Sequence, residues 1–229
     1  MDNSQISILS GKIDHTLLRP DSTITQIEQL CREAEQHQFA AICIAPCWLN
    51  YVDQWLKTPT IERATVISFP HGDSYLVEKS SSGNSYCNMG ATELDIVANI
   101  GLIKSGEWQS TKNEIELIGK LREFRKGLVK IKYIVEVGYL TDDELFKVAD
   151  ILIENKIDYI KTCTGYGPRG VTVNDILKIK KHVGNAIKIK ASGGIKTSED
   201  FLAMINAGAD RVGTSSSVKI LEEISSERA

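Results

Sequence analysis

The stretch Glu93-Leu94-Asp95-Ile96-Val97-Ala98-Asn99 reads as a β-strand with two unlike faces. Side chains alternate across a strand, so Glu93, Asp95, Val97 and Asn99 share one face while Leu94, Ile96 and Ala98 share the other. An open parallel sheet covered by helices on both sides is apolar on both faces, whereas a closed barrel can turn polar groups toward a site at its C-terminal mouth. The same split recurs where Tyr159, Lys161 and Cys163 oppose Ile160 and Thr162, and where Lys188 and Lys190 oppose Ile187, Ile189 and Ala191.

On either side of this strand, short β-like runs alternate with helical patterns. Strands are expected over 13–18, 40–45, 64–69, 93–99, 131–137, 158–163, 187–191 and 210–214. Helices are expected near 23–38, 48–57, 75–89, 111–126, 142–155, 172–183, 197–207 and 216–225. Thr141, Thr172 and Thr197-Ser198 precede acidic first turns, as helix N-caps do, while Gly127, Gly184 and Gly208 follow amphipathic segments as helix stops. Within 75–89, the run Ser80-Ser81-Ser82-Gly83-Asn84-Ser85 is the weakest helix signal, because Ser, Gly and Asn disfavour helix interiors. No Pro-rich linker or low-complexity tract divides the chain. The expectation is an α/β protein, a single (β/α)8 TIM-barrel domain over 1–229, with a doubly wound sheet as the alternative of the same rhythm.

Composition narrows the function. With 229 residues and 42% hydrophobic residues the chain can bury a substantial core. Its 27 Lys plus Arg against 30 Asp plus Glu are interspersed and form no basic surface for nucleic acid. No apolar run reaches the roughly 18 residues that span a bilayer, and the start MDNSQISILSGKIDH has neither a basic n-region nor an apolar h-region. Neither a nucleic-acid nor a membrane partner is therefore expected. The five cysteines, Cys31, Cys43, Cys47, Cys87 and Cys163, have no framework spacing and suit the cytoplasm; no second pair completes a zinc-site spacing with Cys43 and Cys47, so no metal is expected.

The chemistry concentrates on strand lysines. Lys161 and Lys190 stand in apolar strands one βα unit apart, each followed by a glycine-rich loop. Burial and a neighbouring cation disfavour an ammonium, and a neutral lysine attacks carbonyls to form a Schiff base. The bland alternative is that both snorkel to water. Asp95 is the complementary acid, able to relay protons or merely to neutralise lysine charge. Glu93 and Glu136 are weaker candidates, and Asp14 could order the same polar interior. Ser192-Gly193-Gly194 and Gly213-Thr214-Ser215-Ser216-Ser217 each join a strand to a helix start, where backbone N–H groups favour an anion such as phosphate. Gly165-Tyr166-Gly167-Pro168-Arg169-Gly170 satisfies G-x-G-x-x-G and raises an NAD(P)-dependent oxidoreductase as an alternative. Against it, Lys190 and its neighbours stand where the ribose-binding acid belongs, and too little chain follows for a dinucleotide fold.

Several of these segments together resemble the deoxyribose-phosphate aldolase family. They are Tyr159-Ile160-Lys161-Thr162-Cys163-Thr164-Gly165-Tyr166-Gly167, Lys188-Ile189-Lys190-Ala191-Ser192-Gly193-Gly194-Ile195 and Gly208-Ala209-Asp210-Arg211-Val212-Gly213-Thr214-Ser215-Ser216. Asp14-His15-Thr16-Leu17-Leu18, Ala41-Ile42-Cys43-Ile44 with Pro46, Phe69-Pro70 with Gly72, and Gly90-Ala91-Thr92-Glu93-Leu94-Asp95 extend the likeness over nearly the whole chain. The resemblance implies a barrel-shaped class I aldolase, needing no metal or cofactor, that reversibly joins acetaldehyde and glyceraldehyde 3-phosphate into 2-deoxy-D-ribose 5-phosphate. A related aldolase for another hydroxyaldehyde is the alternative within the class. By the same likeness Lys161 is the Schiff-base lysine, Lys190 the lysine that lowers its pKa and Asp95 the proton-relay acid. Asp14, Thr16, Cys43, Thr164 and Gly165 would contact substrate, Gly193, Gly194, Ser215 and Ser216 would hold its phosphate, and a homodimer is expected. The chain departs from the family pattern at Cys163, His71, the Ser/Gly-rich helix and Pro168-Arg169.

Overall fold

A computed structural model of the protein describes residues 3–226. Eight parallel strands close in sequence order, with the first paired to the last: β1 (Ile13–Leu17), β2 (Ala41–Ile44), β3 (Glu62–Ile67), β4 (Glu93–Val97), β5 (Lys130–Ile134), β6 (Tyr159–Lys161), β7 (Lys188–Ser192) and β8 (Arg211–Thr214). The ring is surrounded by α1 (Asn3–Ser10), α2 (Ile24–His37), α3 (Leu49–Val52), α4 (Leu76–Asn88), α5 (Ile100–Lys104), α6 (Trp108–Phe124), α7 (Asp142–Glu154), α8 (Val173–Val183), α9 (Ser198–Asn206) and α10 (Ser217–Ser226). Closure excludes the doubly wound alternative. No helix among the described residues is long and apolar enough to cross a membrane.

Strand parity holds within the strands, but not at Cys163, which lies past the end of β6 and packs in the main apolar core with Ile160. Leu94, Ile96 and Ala98 pack outward into the main apolar core with Ile160, Ile189 and Val212, while Glu93 and Asp95 are fully buried inside the ring. The interior is itself divided. Ala41, Cys43, Ala64 and Val66 form a small apolar cluster beneath Leu18 and Phe69 on the β2–β3 side, and charged side chains fill the remainder.

Local chemistry explains most helix ends. Thr141, Thr172 and Thr197 each accept a hydrogen bond from the third helical N–H, and the carboxylate there accepts one from the threonine's own N–H, completing capping boxes. Gly127, Gly184 and Gly208 all have positive φ, as their place after helices predicts.

Three elements differ from the sequence expectation. The predicted helix over 48–57 is reduced to one turn, α3, preceded by a 3-10 turn at Pro46–Trp48; the N–H groups of Lys57 and Thr58 bond instead to the Glu35 carboxylate of α2. Two helices, α1 and α5, were not anticipated; α5 starts where Asn99 caps the N–H of Leu102. The Ser/Gly-rich run is helical throughout α4, because tertiary packing overrides its propensity. Gly83 faces the barrel so closely that an added Cβ would lie 2.6 Å from Leu121 Cδ1 and 3.3 Å from Ile67 and Leu94, and Arg125 donates to the Asn84 carbonyl. Replacing Gly83 by Val, which overfills this contact, should lower stability by about 1–3 kcal/mol in urea unfolding.

Candidate active site

Asp95 is the centre of the interior. Its Oδ2 accepts hydrogen bonds from Lys161 Nζ at 2.7 Å and Lys190 Nζ at 2.7 Å, while its Oδ1 accepts one from Lys132 Nζ at 3.1 Å. Barrel register creates this meeting. Asp95 pairs with Lys132 across β4–β5, and Lys161 with Lys190 across β6–β7, so each pair projects from one level of the ring. Gly213 on β8 leaves the space that Lys190 crosses, since a Cβ there would lie 3.0 Å from Lys190 Cε.

The network continues below. Asp14 Oδ2 lies 2.5 Å from Lys190 Nζ and 3.3 Å from Lys132 Nζ, and Asp14 Oδ1 accepts from Arg211 Nε at 2.7 Å. Lys132 also donates to Glu93. Within this network the basic groups are Lys132, Lys161, Lys190 and Arg211 and the acidic groups Asp14, Glu93 and Asp95, so basic groups exceed acidic ones by one. Lys132, Lys190 and Arg211 each contact two or more carboxylates, whereas Lys161 is paired with Asp95 alone. Burial by itself would raise the Asp95 pKa, but the fields of Lys132, Lys161 and Lys190 hold it well below the usual carboxylate range. The same opposition runs the other way for Lys190. Burial pulls its pKa down, and Asp14 and Asp95 more than restore it, leaving it raised. Lys190 is therefore a cation held beside Lys161, rather than a second amine depressed by its setting.

Lys161 borders an open cavity of about 250 Å3 at the C-terminal mouth. Thr16, Thr164, Gly165, Gly193, Gly194 and Ser215 line it, as do Ser192, Thr214 and Tyr166 from the glycine-rich runs, and Arg19 and Lys196, which the sequence reading did not single out. Five expected residues sit elsewhere, the first of them Lys190, fully buried behind the cavity. Asp14, Asp95 and Cys43 lie beneath the cavity, fully buried; Cys43 Sγ is 3.9 Å from Asp95 Oδ2, and burial followed by the Asp95 charge pushes its thiol up to about 11. Asp14 and Cys43 are thus placed to set the field around the lysines instead of lining the pocket. Ser216 is outside the lining, its N–H donated to Thr214 Oγ1 at 2.9 Å as α10 begins.

Lys132 and Arg211 were missed, although parity along 131–137 puts Lys132 on the same face as Glu136. Of the positions that depart from the expected pattern, His71 and Pro168-Arg169 lie in loops after strands, whereas Ser80–Ser85 belong to α4 on the outside of the barrel. His71 is exposed and borders a second cavity of about 190 Å3 with Glu136, Tyr139 and Tyr166. Arg169 turns away from the Lys161 cavity, gripping the Asp175 carboxylate at 2.6 and 2.9 Å. The G-x-G-x-x-G run is a loop between β6 and α8 of a closed barrel, not the first crossover of a dinucleotide fold.

Comparison with known proteins gives a consistent family. The DeoC/LacD family aldolase profile matches residues 8–217. The chain is 43% identical over 215 residues to a deoxyribose-phosphate aldolase of Thermoanaerobacter sp. (strain X514), covering 94% of this chain and 96% of that one. It is 44% identical over 213 residues to the deoxyribose-phosphate aldolase of Dictyoglomus turgidum, covering 93% and 95%. Among solved structures, a putative deoxyribose-phosphate aldolase from Coccidioides immitis superposes with a TM-score of 0.91 at 30% identity over 96% of this chain and 87% of that one. The tetrameric deoxyribose phosphate aldolase of Aeropyrum pernix superposes with a TM-score of 0.88 at 27% identity over 99% and 100%.

The depressed Asp95 pKa links stability to pH. Because the folded value lies below the ordinary value of 3.8, the stabilisation is complete above about pH 5 and is lost as pH falls through 3.8 toward the folded value. Urea unfolding should therefore show Asp95→Asn destabilised by about 3–5 kcal/mol at pH 7, with a shallower loss of stability between pH 5 and pH 2 than the parent chain.

Proposed function

Since the chain belongs to the DeoC/LacD family of aldolases, it is a lyase that reversibly cleaves 2-deoxy-D-ribose 5-phosphate to acetaldehyde and glyceraldehyde 3-phosphate, and we propose that Lys161 is its Schiff-base amine. The observation that carries this reading is the position of Lys161: it is the lysine of the Asp95 cluster that borders the cavity, and it has the fewest carboxylate partners. Attack on a carbonyl requires the free-base amine. In a network with one more basic than acidic group, one proton can leave without stranding an unpaired negative charge.

In the cleavage direction, the Lys161 nitrogen adds to the sugar's aldehyde carbon, and the carbinolamine loses water to give an iminium. The C3 hydroxyl then gives up its proton and the C2–C3 bond breaks. Its electron pair moves into the iminium to form an enamine, and glyceraldehyde 3-phosphate departs. Protonation of the enamine's terminal carbon and addition of water release acetaldehyde and restore the amine. Asp95 Oδ2, 2.7 Å from both the Lys161 and the Lys190 nitrogens, joins the two amines as the proton relay, and its charge favours the iminium. Lys190, held cationic by Asp14 and Asp95, repels a proton on Lys161. Thr16, Thr164 and Gly165 meet the sugar. Backbone N–H groups at Gly193, Gly194 and Ser215 face the phosphate, beside the starts of α9 and α10.

The amine itself activates the carbonyl, so the reading includes no metal or cofactor, and it includes a homodimer in the cytoplasm. Borohydride added with acetaldehyde should leave an ethyl group on Lys161, located by peptide mass mapping. Lys161→Arg should give no adduct and lose at least about a thousandfold in kcat/KM. An adduct only at another lysine would remove the assignment.

A further inference from the structure

The threonines around the Lys161 cavity share a feature of polarity. Thr16 Oγ1 donates to the Asp14 carbonyl at 2.8 Å, Thr214 Oγ1 donates to the Ile195 carbonyl at 2.7 Å, and Thr164 Oγ1 donates to Glu136 Oε2. A hydroxyl has one hydrogen. Once that hydrogen is given to the protein, the group can meet a ligand only as an acceptor.

Thr16 and Thr214 lean on backbone carbonyls close by in the fold, but Thr164 depends on a single side chain from another strand. Glu136 follows β5 and is buried at positive φ (51°), a conformation that costs a non-glycine residue energy. Its Oε2 accepts both the N–H of Thr164, at 2.9 Å, and the Thr164 hydroxyl. A carboxylate oxygen carries no hydrogen, so Oε2 accepts both bonds, and the Thr164 hydrogen points at it rather than at a ligand. Thr164 Oγ1 in turn accepts the N–H of Tyr166 at 3.0 Å, which leaves one lone pair free. The other carboxylate oxygen, Oε1, is lodged against Gly167, where an added Cβ would come within 2.6 Å. The middle glycine of the G-x-G-x-x-G run thus has a local use: it admits the carboxylate that orients the loop after Lys161.

We infer that Glu136 is a positioning residue for acceptor specificity: by taking the Thr164 hydrogen, it makes Thr164 a hydrogen-bond acceptor that selects a phosphorylated aldehyde carrying a donating hydroxyl next to its carbonyl. This rests on the assignment of Lys161 and its cavity as the aldolase site. Glyceraldehyde 3-phosphate has such a hydroxyl between the carbon that meets the enamine and the phosphate. The corresponding chain without it, 3-oxopropyl phosphate, leaves the Thr164 lone pair unmatched.

The test is condensation of acetaldehyde with each of these two aldehydes, read as the ratio of their kcat/KM values. The parent chain should favour the hydroxylated acceptor by about tenfold or more, and Glu136→Ala and Thr164→Val should each bring that ratio close to one, mainly through KM for glyceraldehyde 3-phosphate. Glu136→Gln, whose amide oxygen can take the place of Oε2 while its nitrogen takes that of Oε1, should keep the ratio within about threefold of the parent. Gly167→Ala, which displaces the carboxylate, should behave like Glu136→Ala. Equal loss with both acceptors, or an unchanged ratio in both Glu136→Ala and Thr164→Val, would overturn the inference and leave Glu136 a structural residue. Borohydride trapping of acetaldehyde on each variant separates this from the parent reading. Retention of the Lys161 adduct alongside the altered ratio supports the inference, whereas absence of an adduct in the parent chain would remove the aldolase site and the inference with it.

Discussion

One carboxylate oxygen, Asp95 Oδ2, receives hydrogen bonds from two lysines on adjacent strands, and the remainder of the interior is arranged around that meeting. Two ammonium groups converging on one atom inside a closed ring would repel each other strongly without compensation. Compensation comes from below, where Asp14 and Glu93 bind the cations that Asp95 cannot fully satisfy. The result is a network drawn from β1, β4, β5, β6, β7 and β8, which leaves Lys161 with the least carboxylate around it. Stability and reactivity therefore rest on the same contacts. A group that neutralised Lys161 further would steady the barrel and weaken the nucleophile.

This constraint accounts for the unequal filling of the ring. The β2–β3 side is closed with small apolar side chains, Ala41, Cys43, Ala64 and Val66, which contribute no charge. The opposite side carries the ions, and the mouth cavity lies above it, lined from β1, β6, β7, β8 and the loops that follow them. Glycines at 193, 194 and 213 give the backbone or a neighbouring side chain room there, Gly213 for the passage of Lys190 and Gly193 for close approach to Cys163. The loop after β6 is held from the side by Glu136 and Asp175. The first binds Thr164 and the second binds Arg169 and caps α8 through Thr172. Lys161 thus begins a loop held by Glu136 and Asp175 from beyond the cavity lining and by Ser192 and Gly193 from within it.

Much of this is legible in the sequence. Strand parity at 93–99, 159–163 and 187–191 predicted a ring with a polar interior, and the two lysines and Asp95 are where that parity puts them. Helix caps at Thr141, Thr172 and Thr197 were equally readable, since capping depends on residues three positions apart. Propensity failed at Ser80–Ser85, where the decisive term was Gly83 fitting beneath Leu121, a residue 38 positions away. It failed again at 48–57, where a glutamate from the preceding helix takes the N–H groups that a longer helix would have used.

The amino-acid sequence alone therefore determined the alternation of strands and helices, which face of each strand is polar, and which residue types could perform amine chemistry, because these follow from side-chain alternation and local hydrogen bonding. Only the tertiary structure decided which charges meet. Parity assigns a face but not a height in the ring, and height is set by register between strands. Register places Lys132 level with Asp95, puts Lys190 between two carboxylates that keep it cationic, and lowers Asp14 and Cys43 beneath the cavity floor. The direction of the Thr164 hydroxyl was equally out of reach, since it depends on an oxygen 28 residues away that follows the neighbouring strand.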